Sequence, residues 1–431
     1  MIHVHIAGKS GYGDSGFDID DTNSNEDGDL RSLAADADNG NGNGNDKPEF
    51  EENDNCDQSR SNERDSYHKN RENDLISFYE GLNNRTKFEA ALNSSVPPTI
   101  YACHKPTRRE EFTNFMSTIL PEYRVSYDLT TKKDKYWVWD KDLAHVESSE
   151  YDVIISTYQI EECRSRFSWT WIIRKFKGQF ILLSGESEEQ PPFDLNVNPR
   201  YHGFGPVPES SKDFTVTYMQ VEWWNTFQRP LPPATLISGE LRPKGNETHF
   251  LAYGQSNCVP FREEAFGRLA ALGPVHQTGK CKGRGITDRS NVTIVNPGIS
   301  IYNWRNNQRH YANYRFCLVM EHADPKEHPQ YVTEKIMMAF VAGCIPIYYG
   351  PDMIFDIFNE KAFVFYNISN PQPALDQIAE LERDRVKYNA MKMEPIVAHG
   401  NETIDKYFSM SDDIGNGSFK RRAREKLHLP Y

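Results

Sequence analysis

The residue types that could carry out chemistry in this chain are concentrated between positions 314 and 365. An apolar run, Phe316–Met320, leads into a polar loop, and Thr333, Glu334 and Lys335 follow at the start of a predicted helix. The free N–H groups of a helix N-terminus attract phosphate, and an adjacent lysine adds a full positive charge. The spacing therefore indicates a phosphate site, although Thr-Glu-Lys alone is more typical of a capped, salt-bridged surface helix.

A predicted βαβ unit positions this motif. Phe316–Met320 is typical of a central parallel strand, and apolar side chains recur at i, i+3, i+4 and i+7 in a predicted helix over 331–343. Cys344–Tyr349 is the next predicted strand. The helix N-terminus should lie at the carboxyl edge of the sheet, where open α/β sheets bind ligands. Tyr331, at this edge, suits stacking on a base or a sugar.

The rest of the chain predicts two such α/β units. The first has strands at 99–102, 151–156 and 180–184, with helices near 109–119 and 162–176. The second has strands at 250–253, 315–320, 345–349 and 362–366, with helices at 260–272, 331–343 and 371–384. A segment rich in Pro, Gly and aromatic residues, 187–248, connects them. Two units joined in this way predict a ligand in the cleft between them.

The longer pattern YRFCLVMEH…YVTEKIMMAFVAGCIPIYYG…DIFNEKAFVFY strongly resembles the signature of glycosyltransferase family 10, the α1,3/α1,4-fucosyltransferases. Upstream, Ser256-Asn-Cys258…Arg262…Gly279-Lys-Cys281 resembles the family's SNC…R…GKC block. Leu182-Leu-Ser-Gly-Glu-Ser187 is similar to the family's GEN/ESP segment. The resemblance extends over residues 97–410 and is weakest between 97 and 175.

The resemblance implies an α/β fold of the GT-B type, with two Rossmann-like doubly wound domains facing a cleft. The expected domains are an N-terminal acceptor-side domain at 96–240 and a C-terminal GDP-fucose-binding domain at 245–410. A disordered acidic tail or stem at 1–75 would precede them, and a C-terminal tail at 411–431 would follow.

The resemblance also implies roles for individual residues. Arg262 and Lys335 would neutralise the donor diphosphate and stabilise the charge that builds on the leaving GDP. Tyr331 would contact the nucleotide, and Thr333 belongs to the same predicted donor-binding set. His322 stands where the family normally has an asparagine, and an imidazole N–H can preserve one hydrogen bond there.

Two carboxylates complete the predicted site. Glu334 would bind the fucose hydroxyls or stabilise positive charge on the ring. Glu186 would be the general base that deprotonates the acceptor hydroxyl, a role that typically contributes about 10²–10⁴-fold. The implied reaction is an inverting transfer of L-fucose from GDP-fucose to a GlcNAc hydroxyl of a glycan or glycoprotein, in an α1,3-type linkage. Residue pattern alone would make Glu186 a solvated loop acid.

Several alternatives remain open from the sequence. One is an inactive relative that binds a nucleotide sugar, and another is a transferase that uses a different nucleotide sugar. A glycosidase using Glu186 and Glu334 is disfavoured, because a hydrolase does not need Arg262 and Lys335. Asp140-Lys-Asp142 matches the DxD pattern of metal-dependent transferases but is typical of a turn. We therefore expect no obligatory metal or cofactor, while stimulation by Mn²⁺ is compatible with the sequence.

Composition limits the partners and the compartment. The net charge of the 431 residues is −13, and residues 1–75 account for −12 of it. The near-neutral remainder excludes a whole-protein field that would recruit nucleic acid. No stretch approaches the roughly 18–20 apolar residues of a spanning helix.

Family members in eukaryotes are usually anchored in the Golgi membrane, so a lumenal Golgi setting is expected, with no anchor present in this sequence. Seven Asn-x-Ser/Thr sequons agree with that route. Cys317 and Cys344 are predicted as buried thiols, and Cys258 and Cys281 could be bridged in an oxidising compartment. The acceptor glycan and the oligomeric state are undecided.

Overall fold

The computed structural model describes residues 77–103, 109–126, 148–157, 175–183, 198, 200–206, 213–217, 219–220, 231–286, 288–295 and 307–431. The predictions for the acidic segment 1–75, most of the 162–176 helix, Asp140–Asp142 and Glu186 lie outside the described residues. Both sheets of the fold belong to one compact unit, Arg64–Tyr431.

The first half of this unit forms a six-stranded parallel sheet. Its strands are β1 (Thr99–Cys103), β2 (Arg124–Ser126), β3 (Val153–Thr157), β4 (Gln179–Leu183), β5 (Tyr201–Gly205) and β6 (Asp213–Thr215). The spatial order is β2-β1-β3-β4-β5-β6, with every pair parallel. Helices α1 (Arg85–Leu92) and α2 (Arg109–Ile119) belong to this half. All five residues of β4 are buried, as expected for a strand covered on both faces.

The second half forms another six-stranded parallel sheet. Its strands are β7 (His249–Tyr253), β8 (Val275–Gln277), β9 (Val292–Ile294), β10 (Tyr314–Leu318), β11 (Ile345–Tyr348) and β12 (Val364–Phe365). The order β12-β11-β10-β7-β8-β9 is that of a Rossmann sheet, with the switch point between β7 and β10. Ligands of such sheets bind beyond the carboxyl ends of the two central strands.

Helices cover both faces of the second sheet. The helices that follow the first sheet in the chain are α3 (Pro233–Ile237), α4 (Pro260–Leu269), α5 (Asn307–Tyr311), α6 (Lys335–Ala342), α7 (Ile354–Ile357), α8 (Gln372–Arg383), α9 (Arg385–Lys392), α10 (Asn401–Thr403) and α11 (Ser418–Lys426). The last of these, α11, packs against the first sheet. In β10, Phe316 packs in the same cluster as α4 and α8, whereas Cys317 packs in the cluster that contains α6. This alternation confirms the predicted α/β class with two Rossmann-like sheets.

The start of α6 differs from the prediction. The helix begins at Lys335 rather than at residue 331, because the backbone N–H of Thr333 donates to the Glu321 carboxylate at 2.8 Å. Its end agrees with the prediction: Gly343 has φ of 85°, and a Cβ there would lie 2.6 Å from the nitrogen of Gly245. Glycine is needed at this helix terminus for both reasons.

Two disulfides connect the second sheet and its loops. Cys258 and Cys281 are bonded, as the sequence allowed. Cys317 and Cys344 are buried as predicted, but they form a disulfide instead of remaining thiols. Cys344 directly precedes β11, which pairs with β10 beside Cys317, so the two Cα atoms are 6.2 Å apart. This separation is within the ordinary range for a disulfide.

The C-terminal segment returns to the first sheet. Residues 411–431 were expected to be a tail, but they contain α11, whose Phe419 is 1% exposed. Gln179 in β4 donates to the Leu427 carbonyl at 2.9 Å, and Arg424 is ion-paired with Glu122 at 2.5 Å. The segment is therefore held against the first half by the buried Phe419 and by polar contacts with residues far away in the sequence.

Across the part of the chain that the structure describes, no helix has both the length and the apolar character needed to cross a bilayer.

Candidate functional site

A cavity of about 370 Å³ lies at the switch point of the second sheet. The turn after β7, the first residues of α4, the loop after β10 and the start of α6 all contribute to its wall. Its lining residues are Gly254, Gln255, Ser256, Asn257, Arg262, Asn307, Tyr311, His322, Tyr331, Thr333, Glu334, Lys335 and Met338. Six of the seven residues predicted from the sequence are therefore brought together: Arg262, His322, Tyr331, Thr333, Glu334 and Lys335. The seventh, Glu186, lies outside the described residues.

Arg262 is a buried cation in the wall of this cavity. Its side chain is 1% exposed, and its guanidinium donates to the carbonyls of Met320 at 2.5 Å and Asn257 at 3.3 Å. Its Nε has no hydrogen-bond partner among the described groups. Burial lowers the pKa of Arg262, while the nearby carboxylates, Glu321 first, oppose that change. A guanidinium held by neutral carbonyls keeps a strong attraction for an anionic ligand.

Glu321 organises the opposite wall. This carboxylate is fully buried and accepts hydrogen bonds from the Thr333 backbone N–H and hydroxyl, each at 2.8 Å. Lys335 Nζ lies 3.2 Å from Glu321 Oε2, and the Tyr348 hydroxyl donates to Oε1 at 3.4 Å. Burial, reinforced by Glu321, raises the pKa of Tyr348 well above its usual value. Glu321 therefore fixes the chain just before α6.

These contacts alter which groups of the predicted phosphate site are available to a ligand. The N–H and hydroxyl of Thr333 already donate to Glu321, so a phosphate would be bound by other groups of the wall, the cations Arg262 and Lys335 among them. Lys335 Nζ donates to Thr333 Oγ1 at 2.9 Å and to Glu321, which leaves one of its three N–H bonds for a ligand. The carboxylate reduces the net positive charge of the site but orients the ammonium.

Tyr331 and His322 form a pair at the mouth of the cavity. Their ring centroids are 5.2 Å apart with an interplanar angle of 82°, and the Tyr331 hydroxyl is 3.4 Å from His322 Nδ1. Tyr331 is 3% exposed. Both rings line the cavity, and their edge-to-face arrangement fixes them relative to each other. Their contact with a nucleotide stays a prediction.

Glu334 and Tyr311 are a buried carboxyl group and a buried phenol in the wall of the cavity. Glu334 is 6% exposed and Tyr311 is 2% exposed. Burial raises the pKa of Tyr311, Glu334 raises it further, and Arg262 opposes the change. The Tyr311 phenol therefore stays neutral and can donate a hydrogen bond at physiological pH. A carboxylate and a neutral hydroxyl side by side suit the hydroxyls of a sugar.

Asn307 lines the cavity and was missed by sequence reasoning. It is 6% exposed, and within the described ranges no group donates to its Oδ1. Buried acceptors of this kind are rare in proteins. No signal in the sequence pointed to it, because a lone asparagine in an Asn-rich chain carries no pattern. Glu321 was missed for a similar reason, since a glutamate after a strand looks like a solvated loop acid.

One group of potential metal ligands occurs in the described part of the chain. The side-chain ligand atoms of Cys258, Glu263 and Cys281 lie within 4.8 Å of one another. Both sulfurs belong to the disulfide, and Glu263 accepts from Tyr253 at 2.7 Å and from the Gly283 N–H at 2.8 Å. These groups satisfy one another and do not fit a metal ion.

Residues 245–391, which include the whole cavity wall, match the family model for the C-terminal domain of glycosyltransferase family 10 (fucosyltransferase). Over this segment, the chain is similar to glycosyltransferase family 10. The match covers the second sheet and α4 to α9, so the predicted family is confirmed on the elements that build the site.

Three curated members of this family share segments with the chain. A putative fucosyltransferase of Acanthamoeba polyphaga mimivirus is 30% identical over 169 residues, 38% of this chain and 26% of the relative. Alpha-(1,3)-fucosyltransferase B of Drosophila melanogaster is 28% identical over 143 residues, 32% of this chain and 31% of the relative. Alpha-(1,3)-fucosyltransferase FucT of Helicobacter pylori is 34% identical over 94 residues, 22% of this chain and 19% of the relative. The chain thus spans less than a third of each of these relatives.

Solved structures of the family cover more of the chain at lower identity. A crystal structure of an alpha1,3-fucosyltransferase covers 71% of this chain and 84% of its own, with 17% identity and a TM-score of 0.46. A structure of an alpha1,3-fucosyltransferase with GDP-fucose covers 70% of this chain and 84% of its own, with 17% identity and a TM-score of 0.43.

Proposed function

We propose that this protein is an inverting fucosyltransferase that moves L-fucose from GDP-fucose to a GlcNAc hydroxyl of a glycan, in an α1,3-type linkage. The observation that carries the proposal is the cavity at the β7–β10 switch point, where Arg262 and Lys335 converge within the family 10 segment. The names of the curated relatives support fucose as the transferred sugar and the linkage type.

The proposed reaction is a single displacement. The Glu186 carboxylate accepts the proton of the acceptor hydroxyl, and the oxygen attacks C1 of the fucose from the face opposite GDP. The bond between C1 and the β-phosphate oxygen breaks, and its electron pair leaves with GDP. Glu186 follows β4 in the sequence and itself lies outside the described residues.

Arg262 and Lys335 would act on the leaving group. Negative charge on the β-phosphate grows as the bond breaks, so cations placed there stabilise the transition state more than the ground state. Arg262 is already stripped of water, which strengthens its interaction with the charge. Glu334 and the neutral Tyr311 hydroxyl would hold the sugar hydroxyls and the positive charge that develops on the ring. The Tyr331–His322 pair would contact the nucleotide.

The test is product analysis with purified protein, GDP-fucose and a panel of acceptors that includes an N-glycan core and a terminal lactosamine. We expect acceptor-dependent release of GDP and a fucosylated product, also in the presence of EDTA. Donor binding without acceptor-dependent release would support the inactive-relative hypothesis instead. Transfer from another nucleotide sugar in preference to GDP-fucose would correct the donor, and complete loss of activity in EDTA would contradict a metal-free mechanism.

The base assignment has a test of its own. For Glu186→Gln we expect kcat to fall by about 10² or more while GDP-fucose binding stays intact, because the amide cannot accept the proton. Glu188→Gln is the matched control, since it removes a neighbouring carboxylate from the same segment. Near-normal turnover of Glu186→Gln, or an equal loss in both variants, would refute the assignment.

We also propose a lumenal setting in the secretory pathway, in the Golgi. Two disulfides support an oxidising compartment. The asparagines of all seven sequons are exposed: Asn84, Asn93, Asn246, Asn291, Asn367, Asn401 and Asn416. Endoglycosidase treatment of protein from a eukaryotic host should increase its gel mobility. Unchanged mobility, together with free thiols at all four bridged cysteines, would contradict this setting.

A further inference from the structure

A disulfide adjoins the cavity at the switch point, the proposed donor cavity, through the backbone. Cys258 follows Ser256 and Asn257, which line the cavity, and it precedes α4, which carries Arg262. Its partner, Cys281, lies in the loop after β8 and is 0% exposed. The disulfide therefore connects the turn in front of Arg262 to a buried point of the neighbouring loop.

The turn that contains Cys258 supplies one of the two carbonyl groups that hold Arg262. The guanidinium donates to the Met320 carbonyl, two residues beyond β10, and to the Asn257 carbonyl at 3.3 Å. Met320 is 0% exposed, whereas residues 256–258 are all exposed. Among the described residues, no side chain caps the N-terminus of α4, which would otherwise secure this turn. One partner of Arg262 thus lies on an exposed turn that the helix itself does not hold.

The other end of the disulfide is anchored. The Cys281 N–H donates to the Gln255 carbonyl at 3.1 Å, which ties it to the end of β7. In the same loop, the Gly283 N–H donates to the Glu263 carboxylate at 2.8 Å, and Glu263 is 6% exposed within α4. These bonds hold the loop without the help of the sulfurs. The covalent bond then fixes Cys258 relative to a loop that is already in place.

We propose that the Cys258–Cys281 disulfide is a positioning element for Arg262. By fixing the turn, it keeps the Asn257 carbonyl against the guanidinium, so the cation is oriented before an anionic ligand arrives. A binding group that is already oriented loses less conformational entropy when the ligand binds, which increases affinity. This inference rests on the proposed function, because it assumes that Arg262 binds the diphosphate of the donor.

The experiment measures the affinity for GDP by calorimetric titration after each disulfide is removed. Replacing Cys258 and Cys281 together by serine should raise the Kd for GDP by about 3- to 10-fold, the equivalent of one misaligned hydrogen bond. Replacing Cys317 and Cys344 together by alanine is the matched control. The two disulfides join residues 23 and 27 positions apart, so they constrain the unfolded chain to a similar extent. The control should bind GDP like the wild type.

A double-mutant cycle separates an effect on Arg262 from a general loosening of the fold. In an Arg262→Ala background, loss of the Cys258–Cys281 bond should raise the Kd no further, because the group on which the disulfide acts is gone. A further rise as large as that in the wild-type background would overturn the inference. An unchanged Kd in the serine variant, or an equal rise in the Cys317 and Cys344 control, would overturn it as well.

Reduction of the folded wild type gives the same comparison without relying on the folding of a variant. A thiolate of a dithiol reductant attacks Sγ of the exposed Cys258, and the S–S bond breaks with Cys281 leaving as a thiolate. The second thiol of the reductant then attacks its own mixed disulfide, which releases Cys258 and oxidises the reductant to a cyclic disulfide.

The second disulfide is the internal control of the reduction. Cys317 and Cys344 are both 0% exposed, so mild reduction should leave their bond closed, and alkylation with peptide mass spectrometry identifies which pair is open. The Kd for GDP should rise by the same 3- to 10-fold once the Cys258–Cys281 bond alone is open. An unchanged Kd in that state would overturn the inference.

These measurements do not depend on catalysis, so failure of the proposed function is recognised separately. Absence of fucose transfer by a wild type that binds GDP would contradict the proposed function, while the Kd comparison still decides the role of the disulfide. If the wild type binds UDP instead of GDP, the donor is corrected and the same comparison is made with UDP. If it binds no nucleoside diphosphate, Arg262 is not a diphosphate ligand and both proposals are overturned.

Discussion

At the scale of single residues, the cavity at the β7–β10 switch point, the proposed donor cavity, combines buried polar groups that have hydrogen-bond partners with one that has none. Thr333 and Lys335 have partners in Glu321, whereas Asn307 Oδ1 has none within the described ranges. A buried acceptor without a partner costs about 1–3 kcal/mol of stability. An ionised diphosphate carries no proton to offer, so under the proposed function Asn307 would accept from a hydroxyl or N–H group of the donor.

The unsatisfied Oδ1 of Asn307 predicts that one substitution has opposite effects on stability and on donor affinity. In Asn307→Leu, an apolar side chain of similar shape removes the unsatisfied Oδ1, so the free energy of unfolding of the ligand-free protein should stay equal or rise by about 1 kcal/mol. The Kd for GDP-fucose should rise by about 3- to 10-fold, because the donor loses its partner. Denaturant unfolding and calorimetric titration measure the two effects. Asn389→Leu, exposed on α9, is the control, and unchanged donor affinity in Asn307→Leu would contradict the assignment.

At the scale of elements, a single buried carboxylate defines where α6 begins. Glu321 accepts hydrogen bonds from the N–H and hydroxyl of Thr333 and forms an ion pair with Lys335. The helix therefore starts at Lys335, and the ion pair orients the ammonium of this lysine. The sequence pattern predicted β10, α6 and β11 correctly because their apolar periodicity is local. It placed the helix start four residues too early because the competing acceptor lies 12 residues away and becomes a neighbour only in the folded sheet.

The importance of this carboxylate can be measured against a second ion pair. Glu321→Gln should lower the free energy of unfolding by about 1–3 kcal/mol, since it leaves the partly buried Lys335 ammonium without its counter-charge. Glu382→Gln removes the partner of Arg315 where both side chains are partly exposed, and it should cost less than about 1 kcal/mol. Urea denaturation of both variants measures the two free energies of unfolding. An equal decrease in both variants would mean that Glu321 has no special structural role.

At the scale of the whole molecule, the two sheets share one hydrophobic cluster. Ile155 and Leu183 from the first sheet belong to the same buried cluster as Val319 and Phe340 from the second. A backbone hydrogen bond also crosses between the halves, from the Met219 N–H to the Val332 carbonyl at 3.2 Å. Local patterns predicted three strands of the first sheet and four of the second, missing β2, β5, β6, β8 and β9, and they could not predict this coupling. The return of residues 411–431 to the first sheet depends on contacts such as Arg424 with Glu122, which are about 300 positions apart.

The shared cluster implies that the halves unfold together, and α11 provides the means to test it. Phe419 is 1% exposed and contacts Phe115 of α2 and Phe214 of β6, with ring centroids 6.3 and 5.2 Å away. Phe419→Ala should therefore cost about 3–5 kcal/mol. The substitution lies in the first half, whereas the proposed donor cavity lies in the second. If the halves unfold cooperatively, the variant should show one unfolding transition, at a lower temperature than the wild type. Circular dichroism and the loss of GDP-fucose binding should then give the same transition temperature. Arg421→Ala, on the exposed face of the same helix, is the control. Two separate transitions, with donor binding surviving the first, would show that the halves fold independently despite their common core.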